Sequence, residues 1–209
     1  AKILAGGQSL LVLKRWGLVQ PHLLIGLRRI AALKRIEPSP AGGVTIGAMV
    51  TEHALASTRL IQERYTALAE AAASVATPAV RRQATIGGNL AHADPAADPP
   101  GALIALGAEL ELASPRGRRH VPVDAFFTGF LETALEPGEL LVAIHLPPAP
   151  ARGGSAYCKH RVRGTDYAIV GVGMGLTLAE DGETCLDARI GLVAAGATPL
   201  RAAEAEAVL

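Results

Sequence analysis

Thr85-Ile86-Gly87-Gly88-Asn89-Leu90-Ala91-His92-Ala93-Asp94-Pro95-Ala96-Ala97-Asp98 is the stretch on which the reading of this chain turns. A β-branched pair, Thr85 and Ile86, opens it as a strand would, and two glycines stop it at once. Asn89 tolerates left-handed backbone angles. The histidine, aspartates and proline that follow neither prolong a strand nor start a helix. Adjacent glycines permit positive φ and let successive N–H groups face one concavity, a shape that binds anions. By itself the stretch is no more than a Gly-Gly-Asn turn between two apolar segments.

A second turn gives it meaning. Ala5-Gly6-Gly7-Gln8-Ser9 follows the short apolar run Ile3-Leu4. Ser9 is placed to cap a helix over Leu10–Trp16, closed by Gly17. A strand, a Gly-Gly turn and a capped helix gather free N–H groups and a positive helix end, which hold a phosphate without any lysine. Two such turns suit a diphosphate.

The chain has 209 residues, enough for one large domain or two small ones with real cores. Apolar residues make up 50% of it, which places it among globular chains. A net charge of +1 gives no case for nucleic acid or a membrane surface as partner. No apolar run reaches the length of a membrane span. Cys158 and Cys185 are too few for an iron–sulfur site, which needs about four thiolates, and make no disulfide framework. Ordinary thiols fit the cytoplasm. The opening at Ala1, directly before a strand-like run, reads as a longer parent chain. So does a closing helix, expected from Thr198-Pro199 to Leu209, that has no stop signal.

Strand-like His22–Ile25 after the first helix predicts a parallel βαβ start. Arg35–Glu37 and Val44–Ala48 flank a Pro/Gly-rich hairpin turn. Helices are expected over Glu52–Ala56 behind Thr51, over Thr58–Tyr65 and over Ala67–Ala76. Asp98 is placed to cap a helix with proline at its first position. Glu109–Leu112 and His120–Val123 form another hairpin, with Arg116, Arg118 and Arg119 read as a solvated basic turn. Phe126 and Phe127 read as core, and Leu140–Leu146 as a strand. Pro147–Gly154 is the expected linker. Beyond it an antiparallel pattern follows, in which Gly171, Gly173 and Gly175 share one strand face against something flat or a helix. The expected class is α+β. Residues 1–150 form one domain, with a small βαβ subdomain over about 1–50 and a larger sheet subdomain over 51–150, and residues 151–209 form a second.

Several chemistries are excluded. Gly171-Val172-Gly173-Met174-Gly175 has Leu176 where a dinucleotide fingerprint needs glycine. No Gly-x-x-x-x-Gly-Lys occurs, and Ser9 lacks a nucleophile-elbow context. The histidines show no metal-ligand spacing along the chain. His92 and Asp94, two residues apart, read as a solvated loop pair.

Both glycine turns resemble the two flavin loops of the FAD-binding medium subunit of molybdenum hydroxylases, the carbon monoxide dehydrogenase medium chain and xanthine dehydrogenase flavin domain family. Ala156–Ala168 is similar to the family's third signature. Gln8, Gly26 and Ala84 depart from its usual residues. The resemblance implies that Ala5, Gly6, Gly7, Gln8 and Ser9, with Thr85, Ile86, Gly87, Gly88 and Asn89, wrap the FAD pyrophosphate. Asp98 would accept hydrogen bonds from the cofactor, Leu141 would pack on adenine or flavin, and Tyr167 would shield the isoalloxazine. Lys159 is a further contact. No catalytic residue and no metal ligand is expected on this chain. Molybdopterin and [2Fe-2S] clusters would sit on partner chains, a molybdopterin large subunit and an iron–sulfur small subunit, in a dimer of heterotrimers. The resemblance also implies a cytoplasmic setting, at most peripheral to the inner face of the membrane. Two other readings stay open: a stand-alone flavin oxidoreductase of the same fold, and a non-redox module binding a nucleotide diphosphate.

Overall fold

The computed structural model describes residues 1–209. The chain opens with the expected strand–helix–strand unit: β1 (Lys2–Leu4), α1 (Leu10–Arg15) and β2 (Leu24–Gly26), with β1 and β2 parallel. A 3-10 turn over Ala31–Lys34 leads into β3 (Ile36–Pro38), and the chain returns antiparallel as β4 (Val44–Gly47). Six helices follow: α2 (Glu52–Ser57), α3 (Arg59–Arg64), α4 (Thr66–Ser74), α5 (Pro78–Arg81), α6 (Ile86–His92) and α7 (Asp98–Ala105). Three of them begin on threonine. The hydroxyls of Thr51, Thr77 and Thr85 each accept from an N–H three residues on, at 3.2, 3.3 and 3.2 Å.

The chain then forms β5 (Glu109–Ser114), β6 (Gly117–Pro122), the small hairpin β7 (Phe127–Gly129) and β8 (Glu132–Thr133), and β9 (Leu140–Leu146). β9 inserts between β4 and β5, which closes an antiparallel sheet of order β3-β4-β9-β5-β6. Side chains alternate across it. Ile46, Leu110, Leu112 and Ile144 are fully buried on one face and meet Leu55, Ile61, Leu68, Leu90 and Leu103 from the helices. Phe126 and Phe127 close the core edge to face, with centroids 5.4 Å apart.

A second antiparallel sheet holds β10 (Gly153–His160), β11 (Val170–Leu178), β12 (Cys185–Val193) and β13 (Leu200–Arg201), before a last turn of helix, α8 (Ala203–Glu206). Helix α7 lies between the two sheets and is buried along its whole length. Leu103 and Ile104 join the main core, while Ala102 packs with Tyr157 and Val193 of the second sheet. The period-two glycines seat this helix as the sequence predicts. A Cβ at Gly173 would stand 2.5 Å from the Gly101 carbonyl oxygen, and one at Gly175 would stand 2.6 Å from that of Ala105. A Cβ at Gly191 would collide with the same Gly101 oxygen. Helix backbone therefore rests directly on sheet backbone. The class is α+β.

The structure departs from the sequence reading at three places here. Thr85 and Ile86 do not form a strand: Thr85 makes one bridge to Thr51, and Ile86 starts α6. No helix begins at Thr198-Pro199, because Leu200 and Arg201 pair with the open edge of β12. The Pro147–Gly154 segment is exposed along most of its length and is tied down at two points: the Tyr65 hydroxyl donates to the Pro147 oxygen at 2.8 Å, and Ala149 lies on the main core. The arginines of the β5–β6 hairpin are paired, Arg116 with Glu136, Arg118 with Glu111, and Arg119 in a bidentate fork with Glu139 at 2.7–2.8 Å.

Gly173→Ala should lower stability by about 1–3 kcal/mol through overpacking against α7. Gly154→Ala, whose Cβ meets nothing within 4 Å, should stay within about 0.5 kcal/mol of the parent. Urea midpoints of the two variants check the contrast.

Candidate functional site

The first glycine turn leaves β1 and reverses at Gly7, whose φ is +78°. The backbone N–H groups of Ala5, Gly6, Gly7, Gln8 and Ser9 donate to no acceptor in the protein. All five residues are half-buried. Unpaired donors in such a setting are costly unless water or a ligand takes them. Consecutive N–H groups around a positive φ form a concave anion receptor. The donors are those of the turn itself. Ser9 makes no side-chain cap bond, contrary to expectation, since its own backbone is already helical at φ −93° and ψ −50°.

The second glycine turn does something different. Gly87 and Gly88 lie in the first turn of α6, and neither has positive φ. Their N–H groups are already used: Ile86 donates to Val50 O at 3.0 Å, Gly87 to Ala48 O at 2.9 Å, Gly88 to Thr85 Oγ1 at 3.2 Å and Asn89 to Thr85 O at 2.9 Å. The expectation of a second set of free donors is corrected. These glycines serve close approach. A Cβ at Gly87 would stand 2.5 Å from Ala48 Cβ, and one at Gly88 would stand 3.4 Å from Ala5 Cβ. Gly6 in turn lies flat on the Gln83 carbonyl. The two loops touch, and the second buttresses the first. Asn89 Oδ1 is buried there without a partner.

Ala93 closes α6 in the left-handed region at φ +54°. Asp94 Oδ1 accepts from Ala96 N at 2.9 Å, and Ala194 N, just past β12, donates to Pro95 O at 2.7 Å. This loop is thereby pinned to the second sheet. Tyr167, between β10 and β11, keeps its ring 67% exposed. Burial at its hydroxyl end and the adjacent Asp94 carboxylate hold its pKa above the usual phenol value. An open aromatic face thus stands next to the second loop.

Asp98 is not the N-cap. Ala97 is, and Asp98 is the first residue of α7. Its carboxylate turns into the protein, where Oδ1 accepts from the Tyr157 hydroxyl at 2.7 Å and Oδ2 from Lys159 Nζ at 2.9 Å. The two side chains of the ion pair are 5% and 4% exposed. Burial and the Asp98 charge push the Tyr157 phenol up, so it remains a donor. Asp98 and Lys159 therefore satisfy each other beneath the loops. Leu141 sits in the main core on β9 and is 6% exposed. Tyr157 escaped the sequence reading, although it shares a strand face with Lys159 at period two.

Glu52 also escaped it. The residue is fully buried at the start of α2, and neither carboxyl oxygen has a hydrogen-bond partner. Its N–H donates to Ala84 O at 3.0 Å, one step behind Thr85. Burial, then the like charge of Asp98, raises its pKa to about 8. The folded chain thus holds a proton that the unfolded chain releases at the ordinary glutamate value of 4.5. Stability must fall as pH rises from there to about 8 and level off above. The slope is about 1.4 kcal/mol per pH unit inside that window. Glu52→Gln should remove this component, and urea titrations at several pH values, compared with the parent, measure it.

No helix is long and apolar enough to cross a membrane. Residues 1–149 match the family described as the FAD binding domain in molybdopterin dehydrogenase, and residues 155–209 match the CO dehydrogenase flavoprotein C-terminal domain. The carbon monoxide dehydrogenase medium chain of Afipia carboxidovorans is 40% identical over 209 residues, covering 100% of this chain and 72% of the relative. The putative xanthine dehydrogenase FAD-binding subunit of Escherichia coli K12 is 34% identical, covering 99% and 70%. Reconstituted CO dehydrogenase from Oligotropha carboxidovorans contains a chain that superposes with a TM-score of 0.94 at 39% identity, covering 100% of this chain and 72% of that one. The unpaired N–H groups of the first loop are what a flavin dinucleotide's diphosphate requires, and the chain belongs to the FAD-binding subunits of the molybdenum hydroxylases of carbon monoxide and xanthine dehydrogenase type, which are oxidoreductases.

Proposed function

We propose that this chain is the electron-transfer subunit of a carbon monoxide dehydrogenase-like hetero-oligomer, working beside an iron–sulfur small subunit and a molybdopterin large subunit. The observation that carries the reading is the row of five unpaired, half-buried N–H groups from Ala5 to Ser9. FAD, when bound, supplies a centre that takes electrons singly from iron–sulfur clusters and releases them to an external acceptor. The residues of this chain bind and orient it. Ala5, Gly6, Gly7, Gln8 and Ser9 hold the diphosphate. Thr85, Ile86, Gly87, Gly88 and Asn89 hold that loop in place from behind. The Asp98–Lys159 pair fixes the floor, Leu141 supports it from the core, and the open ring of Tyr167 covers a flavin face. The division at about residue 150 separates the diphosphate loops from the domain whose β10–β11 connection carries Tyr167. Exposed Leu11, Val12, Trp16, Leu18 and Leu23 around α1 support work inside an assembly rather than alone.

Two experiments test this reading. Gly7→Ala places a Cβ at φ +78°, which costs about 1–2 kcal/mol, and should weaken FAD binding roughly tenfold or more by closing the row of donors. Gly17→Ala has the same backbone cost at φ +76° but lies outside the loop and should leave affinity unchanged. Fluorescence titration of flavin-stripped protein separates the two, and equal affinity in both variants counts against the cradle. Tyr167→Ala should retain FAD, released by denaturation and filtration, yet shift its midpoint potential or its reactivity with oxygen. An unchanged redox titration together with unchanged oxygen reactivity removes Tyr167 from the site.

A further inference from the structure

The outer face of the five-stranded sheet carries a cluster unconnected with the flavin loops. Glu111 on β5, His120 on β6 and His145 on β9 stand on three adjacent strands, and one ligand atom from each lies within 4.8 Å of those of the other two. Glu111 and His120 are direct cross-strand partners. The imidazole rings stack with centroids 5.0 Å apart. His145 Nε2 meets Glu111 Oε2 at 2.9 Å.

His145 has its other ring nitrogen held, and His120 has a carboxylate near its own. His145 Nδ1 bonds Thr45 Oγ1 of β4 at 3.2 Å, and His120 Nδ1 faces Glu109 Oε2 at 3.7 Å. Such outer partners fix the tautomer and ring orientation of metal-binding histidines. Glu111 is prepared in the same way. Hydrogen bonds with Arg118 and His145 fix the orientation of its carboxylate. Arg118 takes Oε1, which leaves Oε2 for the histidine side. The chemistry on offer is two imidazoles and one carboxylate, with room for water, since the side chain of His120 is 50% exposed.

We propose that Glu111, His120 and His145 bind a zinc-class divalent ion that staples β6, β5 and β9 across the outer face of the sheet. Bonds of about 2.0–2.1 Å in a tetrahedral zinc site set ligand atoms roughly 3.3 Å apart. The half-exposed His120 can close the remaining gap by a side-chain adjustment. Imidazole and carboxylate ligands suit zinc and neighbouring transition ions, whereas magnesium demands an octahedral shell of oxygens. The ion joins strands that are distant in sequence, so its effect is on the folded state.

The test is equilibrium dialysis of the purified full chain against buffered micromolar zinc, with metal analysis and a thermal melt. The wild type should retain one zinc per chain and melt higher with zinc but not with magnesium. His120→Asn, at an exposed position that tolerates substitution, should lose affinity by more than roughly 100-fold, and Thr45→Val by roughly 10–100-fold, with melts in chelator close to the parent. No zinc retained by the wild type, zinc retained unchanged by His120→Asn, or an equal response to magnesium overturns the site. Retention that survives in His120→Asn would assign the ion to another group, such as Cys158 or Cys185.

Discussion

A helix buried on every side cannot leave a carboxylate unpaired at its first turn. Asp98 begins α7, and α7 fills the space between the two sheets. The Lys159 ammonium and the Tyr157 hydroxyl, both from β10, resolve that conflict at 2.9 and 2.7 Å. Burying such a pair contributes little net stability, whereas removing one partner strands a charge in the interior. Its importance is positional. It locks the start of α7 to the second sheet, and the loop before α7 carries Asp94 and leads back to α6. A single ionic knot thus sets where the two glycine loops lie relative to β10 and to the segment that carries Tyr167.

Much of the fold was legible because its signals are local. The βαβ start, the Thr51 cap, both hairpins and the glycine-lined strand face follow from turn chemistry and periodicity. What failed was decided by distant partners. Leu200 and Arg201 become a strand only because β12 offers an open edge. Ile86 becomes helical because Val50 O and Ala48 O take the first donors of α6. The site shows the same division. The sequence marked both glycine loops but gave them one role, because a glycine needed for positive φ and a glycine needed for close approach look alike in a sequence. Gly7 is the first kind, and Gly87 the second. Glu52 and Tyr157 were invisible because nothing near them in sequence announces burial. The cluster of Glu111, His120 and His145 could not be read from spacing, since sheet register alone assembles it.

The two loops divide their work. One presents unpaired donors, and the other spends its donors on holding still. A row of backbone donors such as the first loop's can receive an anion without any lysine. The buried acid at Glu52 lies one step from the second loop, where burial, reinforced by the like charge of Asp98, keeps it protonated over most of the neutral range. The Asp98 charge itself is matched by Lys159.

The seat of α7 has a consequence for how this chain can change over evolutionary time. An ordinary core contact that receives an extra methyl group can recover when the facing residue shrinks. At the crossing of Gly101 with Gly173 and Gly191 both sides are already glycine, so no smaller residue exists to give way. Relief must come from moving the helix, and moving the helix moves Asp98 off its partners. Gly173 and Gly191 face helix backbone itself, so no side chain there can shrink to admit a methyl group, although neither lies in the two glycine loops.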